Sequence, residues 1–199
     1  MKITSAEFVT SSPDYETCPE SELGEIAFIG RSNVGKSSLI NFLTNSDGLA
    51  KTSSKPGHTT MINFFLVNDA WTIVDLPGYG YARRSKEDRE RFHGFVSDYL
   101  LGRRNLICVC ILIDSRIPPQ ELDLDYVEWI VSCRIPFALV FTKTDKIKPT
   151  PRKKNIEKFT QLLAERCSGT PKVFASSIKN KADRFELLDF IEAALATRS

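Results

Sequence analysis

The sequence contains few of the residues that mark several common classes of protein. Its 199 residues include five cysteines and two histidines, and the absence of CxxC spacing argues against a disulfide framework and a zinc site. No apolar run approaches the roughly 20 residues that a membrane span requires. The N-terminal segment has no apolar core and contains Asp14, Glu16, Glu20 and Glu22, which is not typical of a secretory or mitochondrial leader. We therefore expect a cytoplasmic protein with no membrane partner.

Basic and acidic residues are nearly equal in number in the sequence. The chain has 27 basic and 25 acidic residues and a formal net charge of +2, so any nucleic-acid contact has to come from a local cluster. Such a cluster consists of Lys146, Lys148, Arg152, Lys153, Lys154 and Lys158. A solvated helix face is the usual explanation for such a run, and contact with RNA phosphates is the alternative. We expect no DNA partner and a monomer.

Short apolar runs alternate with segments of helical periodicity along the chain. The runs EIAFIG, MINFFLV, AWTIVD, LICVCILID, FALVFT and KVFA predict six strands, several of them apolar on both faces. Asn68 and Asp69 leave room only for a hairpin, so one strand should be antiparallel. We predict an α/β three-layer sandwich with helices on both faces of a mostly parallel six-stranded sheet. Residues 25–199 would form one domain, and residues 1–24 an extension packed on it.

Local sequence signals predict where two helices begin and that two cysteines lie in the core. Thr150 followed by Pro151 predicts a helix N-terminus, and Asp183 with Glu186 predicts a capping box. Cys108 and Cys110 lie in one apolar strand and are expected in the core.

The segment GRSNVGKS, residues 30–37, has the GxxxxGK[ST] pattern. It follows a predicted strand and precedes a predicted helix, which is the context that this pattern requires. Its glycines allow the backbone to wrap closely around phosphates, and a helix N-terminus favours anions. Lys36 would reach the β- and γ-phosphates, and the Ser37 hydroxyl would bind Mg²⁺. The sequence therefore predicts a nucleotide-binding site.

The segment TKTD, residues 142–145, ends another predicted strand at the same edge of the sheet. The Asp145 carboxylate would accept hydrogen bonds from N1–H and the exocyclic amine of guanine, a donor pair that adenine lacks. Lys143 would lay its stem along the base. Thr142 stands where asparagine is more usual in such motifs. We expect GTP and GDP as ligands rather than ATP.

Three further segments complete the predicted site. DLPG, residues 75–78, ends a strand, so that Asp75 would hold Mg²⁺ through water and the Gly78 N–H would contact the γ-phosphate. In KPGHTT, residues 55–60, Thr59 is the expected second side-chain Mg²⁺ ligand, with Thr60 as the alternative. FASSIK, residues 174–179, would support the guanine from its other side.

These five motifs, in this order, resemble those of small P-loop GTPases. More narrowly, GRSNVGKSSLIN, KPGHTTMINFF, DLPGYGYA, FTKTD and FASSIK resemble the EngB-type ribosome-biogenesis GTPases. The resemblance implies GTP and Mg²⁺ contacts at Gly30, Arg31, Ser32, Asn33, Val34, Gly35, Lys36, Ser37, Ser38, Gly57, His58, Thr59, Thr60, Met61, Asp75, Leu76, Pro77, Gly78, Thr142, Lys143, Thr144, Asp145, Ala175, Ser176 and Ser177. It implies catalytic roles for Asn33, Lys36, Thr59 and Gly78, and metal binding by Ser37, Thr59 and, through water, Asp75. His58 departs from the arginine that family members more often show.

The same resemblance implies the function of a cytoplasmic GTPase that assists assembly of the large ribosomal subunit and is needed for cell division and septation. Two alternatives stay open: a regulatory GTPase that recruits a non-ribosomal protein, and a non-catalytic RNA-binding assembly factor that uses GTP structurally.

Tyr79 occupies the position after the DxxG glycine, where Ras has the glutamine that orients the attacking water. A tyrosine lacks the donor and acceptor pair of an amide, so we expect slow hydrolysis without a partner. As a hypothesis, Asn33 and carbonyls of residues 55–59 would bind K⁺ where other GTPases place an arginine. The alternative role for Tyr79 and Tyr81 is packing against a neighbouring helix.

Overall fold

The computed structural model describes residues 1–51, 61–80, 86–169 and 171–197, with the backbone alone for residues 86–93. The strands are β1 (Ala6–Ser12), β2 (Gly24–Gly30), β3 (Ile62–Val67), β4 (Trp71–Asp75), β5 (Leu106–Asp114), β6 (Phe137–Thr142) and β7 (Lys172–Ala175). The helices are α1 (Lys36–Thr44), α2 (Lys86–Gly102), α3 (Glu121–Ser132), α4 (Pro149–Arg166) and α5 (Lys181–Ala196), with a short 3₁₀ turn at Thr144–Lys146. In the described residues no helix is long and apolar enough to span a membrane.

The strands form one sheet in the order β1-β3-β4-β2-β5-β6-β7. β3 runs antiparallel to both of its neighbours, and the pairs from β4 to β7 are parallel. The predicted α/β class and the single antiparallel strand are confirmed. The sheet described here has seven strands rather than six, because Ala6–Ser12 adds a strand on the outer edge of β3.

The hairpin between β3 and β4 also holds the new edge strand in place. Asn68 and Asp69 both have φ of 52°, the left-handed conformation that a two-residue hairpin requires. The Asn68 side-chain oxygen accepts hydrogen bonds from the N–H groups of Thr4 (2.7 Å) and Ser5 (3.2 Å). The tight turn that the sequence predicts therefore also anchors the start of the N-terminal segment.

Apolar side chains cover both faces of the sheet. On one face, α2, α3 and α4 contribute a core that includes Tyr99, Val127 and Phe159. On the other, α1 and α5 contribute a core that includes Ile40 and Ile191. Burying both faces explains why the central strands are continuous apolar runs.

Cys108 and Cys110, expected in the core, are buried. Trp71 is buried as well, and Trp129 is partly buried against the core beneath α3.

Both helix starts differ from the predicted ones. α4 begins at Pro149 after Lys148, because a proline with its fixed φ already fits the first helical position there. Thr150 is therefore inside the helix. α5 is capped by Asn180, whose side-chain oxygen accepts from the Ala182 N–H (3.1 Å). Asp183 instead accepts from the Ser177 N–H (2.8 Å), so its carboxylate is committed to the preceding loop.

A buried carboxylate joins β2 to the end of α2. Glu25 is fully buried, and it accepts from Arg103 Nε (2.9 Å), Arg103 Nη2 (2.7 Å) and the Tyr99 hydroxyl (2.6 Å). Arg103 also donates to the Pro19 carbonyl (2.6 Å). One bidentate ion pair thus connects a central strand, a helix and the N-terminal segment.

Replacing Arg103 should destabilise the fold strongly. Arg103→Met removes both guanidinium hydrogen bonds from the buried Glu25 carboxylate, and removing one partner of a buried pair costs about 3–5 kcal/mol. The measurement is the free energy of unfolding in urea. Arg104→Met, at an exposed neighbouring arginine, is the matched control and should change stability by about 0.5 kcal/mol or less. Equal effects of the two variants would contradict the structural role of the pair.

Candidate functional site

The predicted phosphate loop connects β2 to α1 at the carboxyl edge of the sheet. Gly30 is packed so closely on β5 that a Cβ there would lie 2.7 Å from the Leu112 carbonyl oxygen. Gly35, with φ of 105°, and Asn33, with φ of 66°, adopt left-handed conformations within the loop. Any side chain at position 30 would collide with β5 and displace the loop from the sheet. The glycine pattern therefore serves the close approach and tight turns that the sequence predicts.

Lys36 and Asp75 form an ion pair beneath this loop. The Lys36 ammonium donates to Asp75 Oδ1, and both side chains are almost completely buried. Burial lowers the pKa of Lys36 to about 7, while contact with a carboxylate favours the charged form. The two side chains expected at the phosphates and at Mg²⁺ thus lie together, each as the other's counter-charge.

The segment after Asp75 packs directly against the phosphate loop. A Cβ on Gly78 would lie 2.8 Å from the Gly30 oxygen and 3.2 Å from the Ser32 nitrogen. The Tyr79 N–H donates to the same Gly30 oxygen (3.2 Å). The DxxG glycine is therefore required for close contact between the two segments. This contact places Gly78 beside the loop in which the sequence predicts the phosphates.

Tyr79 is a packed residue, and only 2 % of it is exposed. Its ring stacks on Tyr126 of α3 with centroids 4.4 Å apart, and its hydroxyl donates to Asp123 Oδ1 (3.0 Å). Burial and the Asp123 carboxylate raise the pKa of Tyr79 well above its usual value, so the hydroxyl stays protonated. Of the two roles considered from sequence, packing against a neighbouring helix is confirmed for Tyr79. Tyr81 lies outside the described residues.

Asp123 links this tyrosine to the phosphate loop. Its carboxylate is 2 % exposed and lies 3.8 Å from an Arg31 guanidinium nitrogen. Burial raises the pKa of Asp123, and the Tyr79 hydrogen bond and Arg31 oppose that rise. A cavity of about 190 Å³ lies beside these groups and is also lined by Asp114 and Arg116.

The predicted guanine-reading segment is tied to the phosphate loop by two side chains. The Thr142 hydroxyl donates to the Val34 carbonyl (2.6 Å). The Lys143 ammonium donates to the Asn33 carbonyl (2.5 Å) and to Asp114 Oδ2 (2.8 Å). Threonine at position 142, where asparagine is more usual, thus still reaches the loop through its hydroxyl.

The loop after β7 supports the guanine-reading segment. Ser176 donates its N–H to the Phe141 carbonyl (2.7 Å) and accepts at its own carbonyl from the Thr144 N–H (3.3 Å). Ser176 and Ser177 are both buried. Asp145, the residue expected to read the base, lies 3.8 Å from the Lys179 ammonium. The structure therefore brings the segments that contain Thr142–Asp145 and Ala175–Ser177 side by side.

Some predicted residues lie outside the described part of the chain. They are Gly57, His58, Thr59 and Thr60, and also the carbonyls of residues 55–59 proposed for K⁺. Met61, directly before β3, is described and half-buried. In the described residues no cluster of three or more histidine, cysteine, aspartate or glutamate side chains forms a metal site. A site completed by Ser37, one carboxylate and nucleotide oxygens needs no such cluster.

Two residues at the site were not identified from the sequence, Asp114 and Asp123. Asp114 is the last residue of β5, at the same sheet edge as Gly30 and Thr142, and this position was a signal that could have identified it. Asp123 is in the first turn of α3. Its role depends on Tyr79 and Arg31 approaching from distant segments, for which the sequence carries no signal.

Removing the Tyr79 hydroxyl should produce a pH-dependent loss of stability. Tyr79→Phe leaves the buried Asp123 carboxylate without its nearest donor, at a cost of about 1–3 kcal/mol at neutral pH. The pKa of Asp123 is already raised from 3.8, and this change raises it further. The variant's deficit should therefore be small near about pH 4 and widen as the pH rises to about 7.5.

The measurement is the free energy of unfolding of both proteins across that pH range. Tyr126→Phe is the matched control because, among the described residues, the buried Tyr126 hydroxyl has no hydrogen-bond partner. It should show no widening deficit. A Tyr79→Phe deficit that does not vary with pH would contradict the role assigned to Asp123.

Known proteins resemble the chain in both sequence and fold. Residues 25–143 match the family described as 50S ribosome-binding GTPase. The chain is 49 % identical over 192 residues to the probable GTP-binding protein EngB of Bacteroides thetaiotaomicron, covering 96 % of this chain and 95 % of that protein. It is also 49 % identical over 192 residues to the corresponding protein of Christiangramia forsetii, covering 96 % and 97 %.

Two solved structures show the same fold at lower identity. A crystal structure of a probable GTP-binding protein EngB has a TM-score of 0.70 at 23 % identity and covers 87 % of this chain and 100 % of that one. Era in complex with MgGDPNP and nucleotides 1506–1542 of 16S ribosomal RNA has a TM-score of 0.64 at 20 % identity, covering 89 % and 57 %. The match to the family and the 49 % identity to EngB proteins over nearly the whole chain establish that the chain belongs to the EngB family of GTP-binding P-loop GTPases.

Proposed function

We propose that this protein is a GTP-dependent switch with slow hydrolysis that assists assembly of the large ribosomal subunit. Nucleotide binding is supported by hydrogen bonds between two motifs that are distant in the sequence. The Thr142 hydroxyl and the Lys143 ammonium donate to the Val34 and Asn33 carbonyls of the phosphate loop. The phosphate and base ends of one nucleotide would thereby be held at a fixed separation. The family match supports the ribosomal part. We further propose a cytoplasmic monomer, with residues 25–199 as the GTPase domain, needed for cell division and septation.

The donor set around Lys36 fits a magnesium nucleotide. Ser37 provides a hydroxyl oxygen and Asp75 a carboxylate that would hold Mg²⁺ through water, both of the kind that Mg²⁺ prefers, with Thr59 as the second proposed side-chain ligand. Mg²⁺ would supply positive charge to the β- and γ-phosphate oxygens. Lys36 contacts Asp75 in the protein alone. With phosphates present, its ammonium would have a second anionic partner in the same buried space.

Slow hydrolysis follows from the position of Tyr79. Its side chain is buried against α3 and its hydroxyl donates to Asp123, so it does not present a polar group to an attacking water. The chain's own residues thus bind and orient the phosphates without supplying a water-positioning side chain after Gly78. K⁺ held at Asn33 stays our proposal for the missing positive charge.

Changing Asp145 should alter base selectivity. Asp145→Asn replaces two acceptors by an acceptor and a donor, so affinity for GDP should fall at least tenfold, by about 1.5–3 kcal/mol per charged hydrogen bond lost. Affinity for xanthosine diphosphate, which presents an oxygen where guanine has an amine, should rise. Both affinities are measured by calorimetric titration. The exposed Asp125 provides the control: Asp125→Asn should bind GDP as the wild type does. Unchanged GDP affinity in Asp145→Asn would contradict the proposal that Asp145 recognises guanine.

The surface proposed for ribosomal RNA is the basic cluster around the start of α4. Lys146, Lys148, Lys153, Lys154 and Lys158 are exposed. Arg152 turns inward and donates to the Thr144 carbonyl (3.3 Å), which connects the cluster to the guanine-reading segment. One acid partly balances it, because Lys153 lies 3.7 Å from Glu157.

Ribosome binding should depend on this cluster and on the nucleotide. Large subunits and their precursors are sedimented with the protein in GDP or in a non-hydrolysable GTP analogue, at matched salt. We expect selective pelleting with the analogue, weakened by Lys153→Glu with Lys154→Glu and less steeply dependent on salt in that variant. The control is Lys2→Glu with Lys172→Glu, an equal charge change at exposed lysines outside the cluster. Equal, negligible pelleting in both nucleotides would instead favour a non-ribosomal protein partner.

A further inference from the structure

We propose that Asp114 is a positioning residue for the guanine base, acting through Lys143. The proposal rests on the proposed guanine site at residues 142–145. It adds to that site a residue from β5 that no nucleotide-binding motif of the sequence contains.

Asp114 provides the anionic anchor for Lys143. The Lys143 ammonium lies 2.8 Å from Asp114 Oδ2 and 2.5 Å from the Asn33 carbonyl. The ammonium therefore has one acceptor on the phosphate loop and one on β5. Since a carbonyl is a weaker partner for a cation than a carboxylate, Asp114 is the stronger of these two acceptors.

Asp114 is itself held in a fixed orientation. Arg116 donates to it from Nε (2.9 Å), Nη2 (2.8 Å) and its backbone N–H (3.1 Å). The Asp114 side chain is only 12 % exposed. Burial alone would raise the pKa of this carboxyl, but the hydrogen bonds from Arg116 and Lys143 outweigh it and lower the pKa to about 2. The anchor is therefore charged throughout the physiological range.

The path of the Lys143 stem shows what the anchor positions. Lys143 has φ of 60°, a left-handed conformation that a lysine adopts only at a cost. Its side chain then crosses to the phosphate loop, where a Cβ on Gly35 would lie 3.6 Å from Lys143 Cε. The stem thus forms an apolar surface between the phosphate loop and Asp145. A base whose edge meets Asp145 would lie on this surface.

Loss of the anchor should therefore affect the base more than the phosphates. Without the Asp114 carboxylate, the Lys143 ammonium retains only the weaker of these two acceptors, the Asn33 carbonyl. It then turns towards solvent more often, because lysine side chains have several accessible rotamers. The surface under the base is then no longer fixed. Affinity for GDP and GTP should fall by the same factor, with kcat unchanged.

The test is a double-mutant cycle on the full chain, read as GDP and GTP dissociation constants. Asp114→Asn keeps the shape of the side chain and removes its charge, and we expect roughly tenfold weaker binding of both nucleotides. Lys143→Ala should weaken binding at least as much. In the Lys143→Ala background, Asp114→Asn should have no further effect, because its partner is gone. Melting temperature and circular dichroism without nucleotide report folding of every variant.

Each outcome decides between specific explanations. A full additional loss in the Lys143→Ala background, or wild-type binding by Asp114→Asn, overturns the positioning role. Wild-type GDP binding by both Lys143→Ala and Asp145→Asn would instead overturn the proposed guanine site itself. Asp125→Asn, the same acid-to-amide change on the surface of α3, should leave both dissociation constants unchanged.

Discussion

The close backbone contact at Gly30 is the constraint on which the rest of the site depends. Its α-carbon approaches the Leu112 carbonyl of β5, and its own carbonyl meets Gly78 and the Tyr79 N–H. Three chain segments converge where no side chain fits. The phosphate loop, the end of β5 and the segment after β4 therefore occupy fixed positions relative to one another, and the charged side chains that each carries come within reach of the same ligand.

Buried charges around this contact are paired across segments. Lys36 of α1 pairs with Asp75 of β4, Lys143 with Asp114 of β5, and Arg31 lies near Asp123 of α3. A buried charge without a partner is costly, so each pair fixes the approach of two elements. The two ends of the site differ in exposure: the Lys36–Asp75 pair is almost completely buried, whereas Lys143 is 22 % exposed. The Lys36–Asp75 pair is thus better shielded from solvent than Lys143.

Tyr79 packs against α3 at the position where Ras has the glutamine that orients water. Its ring stacks on Tyr126, and its hydroxyl donates to the buried Asp123. In this arrangement the side chain is not available to orient water, which agrees with the slow hydrolysis that we propose. It also fits the proposed switch, whose output is the difference between two nucleotide states.

The sequence by itself determined the fold class, the hairpin at Asn68–Asp69 and the segments of the site, because strand periodicity, glycine spacing and turn chemistry are local signals. Short-range rules were less exact at the helix starts, where the N-caps Lys148 and Asn180 lie two and three residues before the predicted caps Thr150 and Asp183. Only the tertiary structure decided that Ala6–Ser12 joins the sheet, that Tyr79 packs on α3, and that Asp123 lies beside Tyr79 and Arg31. Each of these depends on contacts between residues far apart in the chain, and no local pattern encodes the partner of a buried charge.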